Sequence, residues 1–128
     1  MAALSDYAEL KLLDHLLGTT AFTMPTSVYV ALHSADPTDA GTGAELSGSG
    51  YARQAATFDA AASAATENDS ALEFTADGGD WDEVTHFAIW DASTGGNMLL
   101  HGSLATARTA SDGDTIVIAI GDLDVTAA

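Results

Sequence analysis

The feature that most constrains this chain is a change of hydrophobic period at about Pro25. Before it, Leu10, Leu13 and Leu17 recur at helical spacing, Leu12 and Leu16 widen the apolar side, and Lys11, Asp14 and His15 supply a polar one. After it, Val28, Val30 and Leu32 alternate with Tyr29, Ala31 and His33, the period of two that marks a strand, here with both faces fairly apolar. Further strand-like runs follow at 51–58, 71–75, 84–91, 98–107, 115–120 and 123–126, separated by turns rich in Gly and Asp. One helix followed by such runs predicts a mainly β fold, an antiparallel β-sandwich or barrel of six to seven short strands with one N-terminal α-helix. At 128 residues the chain is expected to form a single domain, with the helix in 1–18 and the sandwich in 26–128.

Local signals sharpen this outline. Asp6 and Glu9 have the spacing of a capping box, Ser5 is the rival N-cap, and Gly18 sits where a left-handed C-cap is expected. If Asp91 to Asn97 turn a hairpin, opposed residues sum to about 187–189, which sets His86 opposite or diagonal to His101. Ile116, Ile118 and Ile120 are expected to face inward. The segment 34–50 is longer than most connections, and contact with a neighbour is expected to order it.

Charge excludes several partners. Nineteen acidic side chains against three basic ones give a formal charge of −16, and Lys11, Arg53 and Arg108 lie far apart in sequence. Phosphate backbones and anionic lipid heads are bound by clustered cations, so neither nucleic acid nor a membrane surface is an expected partner. The Leu10–Leu17 stretch is too short and too interrupted for a bilayer span or a signal peptide. Lysine is scarce along the whole chain, which points to screening by a salty medium more than to one basic partner. The absence of cysteine excludes disulfides and thiolate zinc sites and leaves the redox compartment open.

Each constellation that could carry chemistry has a plainer reading. His86 and His101 lack an evident third ligand, so packing or hydrogen bonding accounts for them better than a metal does. Asp77, Asp80, Asp82 and Glu83 crowd one turn but lack the spacing of a calcium loop, and a solvated turn explains them. Asp112-Gly113-Asp114 reads as a hairpin turn. Ser47 to Gly50 does not meet the nucleophile-elbow pattern, and Leu46 stands where a dinucleotide fingerprint needs its third glycine. No catalytic, cofactor-binding or metal residue is therefore assigned, no cofactor is expected, and the chain is read as non-enzymatic.

The residues themselves also suggest a family. The run Leu13 to Phe22 with Pro25, then Val28 to His33, Ala35 to Asp39 and Gly50 to Gln54, resembles small tailed-phage virion proteins commonly labelled tail fibre proteins. Val84 to Phe87, Trp90 to Ala92, Gly95 to Asn97, His101-Gly102 and Gly121 to Leu123 match as well. The resemblance spans most of the chain and implies a virion structural protein on the outer surface of capsid or tail. A compact chain of this length has a radius of gyration of about 14 Å, and no shaft-building repeat is present, so it cannot be a long fibre alone. A multi-copy capsid decoration or cement protein bound to the major capsid protein is ranked first. A tail-fibre or tail-tip module contacting a host-surface receptor is second, and a carbohydrate-binding module using Tyr51, Trp81 or Trp90 is third. The five leucines of the helix and the 34–50 loop are the expected interface, and the resemblance favours a homotrimer.

Overall fold

The computed structural model describes residues 2–127. Its elements run β1 (Ala2–Leu4), α1 (Asp6–Leu16), β2 (Val28–His33), β3 (Gln54–Ala56), β4 (Ala65–Glu67), β5 (Leu72–Thr75), β6 (Val84–Trp90), β7 (Met98–Arg108), β8 (Thr115–Ile118) and β9 (Asp124–Thr126). Five strands form an antiparallel sheet in the order β1-β7-β6-β2-β3, and two ribbons, β4-β9 and β5-β8, accompany it. The mainly β architecture with one N-terminal helix agrees with the hydrophobic pattern.

Alternation explains the packing. In β2 and β6 the pairs Val30–Ile89 and Leu32–Phe87 share one face of the sheet. They join Leu72 and Phe74 of β5 and Ile116 and Ile118 of β8 in one buried cluster, which Trp81, Val84 and Leu123 extend. Phe74, Val30, Leu32 and Val84 are fully buried. The inward expectation thus holds for Ile116 and Ile118 and fails for Ile120, which is 64% exposed. The strand stops at Ile118 because the chain turns there: Asp122 Oδ2 accepts the Ala119 amide, and Gly121 takes a left-handed φ of 81°.

The ends of the elements also differ from expectation in places. The N-cap is Ser5, not Asp6, because the Ser5 hydroxyl accepts the Ala8 amide while donating to the Met98 carbonyl of β7. Residues 2–4, ahead of the N-cap and given no element by the sequence pattern, form an edge strand on β7. Gly18 does follow the helix with φ 76°, and the Thr19 amide closes the end on the Asp14 carbonyl at 2.8 Å. The β6-β7 hairpin keeps the predicted sum: Ala88 faces His101 and His86 faces Ser103, so the two histidines are diagonal neighbours.

Candidate functional site

The second face of the sheet carries Ala31 and His33 from β2, Ala88 from β6 and His101 from β7, all buried. The long loop covers it. Leu46 donates its amide to the Leu32 carbonyl at 3.0 Å, Ser34 donates to Ala44 at 2.8 Å, and Asp39 accepts the Asp6 amide at 3.0 Å. His101 Nε2 meets Asp39 at 2.8 Å, and its Nδ1 lies 3.6 Å from Asp36. Thr38, Ala44 and Ser49 hold positive φ of 59°, 60° and 48°, a strain that only a loop fixed by many contacts sustains. Bonds within the chain thus hold this loop against β2, α1 and β7.

His33 is the most constrained of these groups. A carbonyl only accepts, so the His33 Nδ1 hydrogen is donated to Gly43 at 3.0 Å, and Nε2 is left as a buried lone pair without a partner. Burial holds its pKa below the ordinary histidine value, against the raising effect of the Gly43 carbonyl and the Glu45 charge.

Beside it, Arg53 ties three segments together. Its Nε and Nη2 donate to the two Glu45 oxygens at 2.8 and 2.9 Å, and Nη1 donates to the Ala92 and Gly95 carbonyls, each at 2.9 Å. The guanidinium lies 4.0 Å from the centroid of the Trp90 ring. Tyr51 donates its hydroxyl to Glu45 at 2.9 Å and accepts the Leu32 amide at 3.0 Å. Burial works to raise the Glu45 pKa, but the hydrogen bonds from Arg53 and Tyr51 outweigh it and hold the carboxyl below its usual value. Burial also pushes the Tyr51 phenol well up, out of the range of acid–base work near neutrality. A cleft of about 350 Å³ opens between Ser47, Arg53 and Thr94. The Arg53, Glu45 and Tyr51 groups lining it are engaged with one another, so the arrangement locks loops together.

The groups singled out in the sequence fall as follows. His86 and His101 share a face but diverge: His86 pairs with the Thr85 hydroxyl at 2.8 Å, and His101 turns to the loop. Among the described residues no cluster of three or more His, Cys, Asp or Glu is arranged to hold a metal ion. In the acidic turn, Asp80 accepts the Asp112 amide and Asp112 accepts the Gly78 amide, both at 2.8 Å, fastening it to the 111–114 turn. The aromatic platform for a glycan is not formed. Trp81 is buried with its Nε1 donated to Ser49, Tyr51 meets it edge-on at 5.8 Å, and Arg53 covers Trp90. Sequence reasoning missed the Arg53–Glu45 pair. The signal available was scarcity: with three cations in the chain, an arginine is a poor candidate for surface filler.

A family model described as podophage GP4 fiber I protein gp80 matches residues 3–126. The chain belongs to this family. The resemblance to tailed-phage fibre-type virion proteins is thereby confirmed. No curated protein matches. The match to the gp80 family takes in the loop with its Arg53 lock and α1 alike.

In this gp80-family chain α1 turns its leucines outward. At 3.6 residues per turn the five leucines fall within an arc of about 160°, and the chain packs the opposite side. Ala8 is buried there, and Tyr7 meets Phe22 of the returning segment edge-on at 6.4 Å, with the Phe22 amide donated to His15 Nδ1. Leu10, Leu12, Leu13, Leu16 and Leu17 are 67, 41, 56, 67 and 78% exposed.

Proposed function

We propose that the chain is a non-enzymatic structural subunit of a phage tail fibre, a small module used in several copies per particle. The family match carries this reading, since the described family is a fibre protein and the match covers nearly the whole chain. The locked loops support it. The buried His33, the Arg53–Glu45 pair and the acidic turns hold backbone in place, which suits a part that keeps its shape under load. The fibre description is the reason for preferring the tail here to capsid decoration, which the sequence alone ranks first.

Copy number and location test the reading together. Mass spectrometry of purified virions is expected to find a few to a few tens of copies, and immunogold against this chain is expected to label the tail. Hundreds of copies with label spread over the head would replace the fibre reading with capsid decoration. Absence from washed virions would remove both.

A further inference from the structure

The outward leucine arc of α1 is an interface that the fold itself leaves open, and we propose that its occupant is the same arc of a second copy, the two helices packing antiparallel about a twofold axis. The pairing goes beyond the fibre reading and holds on whichever part of the particle the chain resides. Area is the first argument. The five leucines, each roughly half to three-quarters exposed, present on the order of 600 Å² of apolar surface, at the top of what monomers show and close to the roughly 800 Å² per side of a standard interface. Leucine against leucine is self-complementary, as a twofold contact requires.

Charge chooses the direction. The carboxylates within the leucine arc, Asp6 and Glu9, both lie in the first turn of α1. Parallel helices would set these carboxylates beside their own copies, and the positive ends of the two helix dipoles together. An antiparallel pair sends them to opposite ends of the seam and aligns the dipoles head to tail. In that register Leu13 meets Leu13 of the second copy, and Leu10 meets Leu16 or Leu17. The twofold geometry replaces the trimer that the resemblance favoured.

The net charge of −16 makes this contact distinctive. Two such bodies repel, so an apolar self-contact tightens as salt is added, whereas a contact with a basic partner loosens. Sedimentation equilibrium of the full chain is expected to give twice the 13.0 kDa chain mass, with a dissociation constant that falls at least tenfold between 0.05 and 1 M NaCl. Leu13→Asp together with Leu17→Asp is expected to give monomers that melt where wild type melts once it is diluted below its dissociation constant, because both side chains are exposed in the single chain. The chain has no cysteine, so Leu13→Cys introduces a unique thiol that is expected to cross-link copies on mild oxidation. Leu10→Cys alone is not expected to cross-link, and Leu10→Cys with Leu16→Cys is. A monomer at high concentration in 1 M NaCl, a trimer, a double variant that still pairs, or equal cross-linking by Leu10→Cys and Leu13→Cys would each overturn the proposal.

Discussion

At the scale of single residues, the chain spends its few hydrogen-bonding cations and rings on holding backbone. His33 illustrates the consequence for pH. Its folded pKa lies below the unfolded value of about 6.5 because burial disfavours the charged ring. The unfolded chain therefore binds this proton first. Stability from the neutral ring is fully present above pH 6.5 and is lost as pH falls through the folded pKa. Glu45, also depressed, adds a loss of the same sign below its ordinary value of 4.5. The two windows separate in chemical denaturation. Wild type is expected to lose stability between pH 7 and 5 relative to His33→Gln, which keeps an amide donor for Gly43 but cannot titrate; parallel curves for the two proteins would show that His33 is not held neutral. Arg53→Met is the harsher change, because it leaves the Glu45 carboxylate and the Ala92 and Gly95 carbonyls without their donor. A loss of about 3 kcal/mol is expected in urea unfolding, and a loss within about 0.5 kcal/mol would mean that water replaces the guanidinium.

At the scale of elements, β8 gives a clean comparison within a few residues. Ile118 is 4% exposed and packs in the core, whereas Ile120 is 64% exposed beyond the strand's end. Ile118→Ala is expected to cost about 2 to 5 kcal/mol, and Ile120→Ala about 0.5 kcal/mol or less. Equal losses would show that the strand runs on to Ile120 and that the turn at Asp122 is misplaced. The same pair shows what the sequence made legible. Alternation identified β2, β5, β6, β7 and β8 because each has apolar residues on a face that the core covers. It said nothing of β1 or β4, three-residue strands at sheet and ribbon edges, where Ala2–Leu4 and Ala65–Glu67 are ordered by their partners' backbone and not by their own pattern. The helix was visible, and the surplus of its five leucines over what one sheet edge covers pointed to the outward arc that the structure shows. The loop was legible as long and glycine-rich, yet Asp39–His101 and Glu45–Arg53 join residues whose approach depends on the sheet register. No local motif encodes such contacts.

At the scale of the whole molecule, 19 acids stand against three basic residues, and internal contacts compensate little of that imbalance. Arg53 neutralises Glu45, but Asp77, Asp82 and Glu83 stand exposed on one turn. At about 0.01 M salt the Debye length is roughly 30 Å, comparable to the diameter of a chain this size, so every carboxylate feels every other. At about 1 M it is roughly 3 Å, and only adjacent charges interact. Self-repulsion penalises the compact state more than the expanded one. The melting temperature is therefore expected to rise by about 5 °C or more from low salt to 1 M NaCl, which for a domain of this size corresponds to about 1 kcal/mol or slightly more. Salt also strengthens apolar burial in general, and the triple variant Asp77→Asn, Asp82→Asn, Glu83→Gln separates the two causes. These side chains make no internal hydrogen bond that the substitution would break among those described. If screening is the cause, the variant melts higher than wild type at low salt, and the difference closes at 1 M. A variant whose salt slope equals that of wild type would assign the effect to apolar burial and remove self-repulsion as a determinant of this protein's stability.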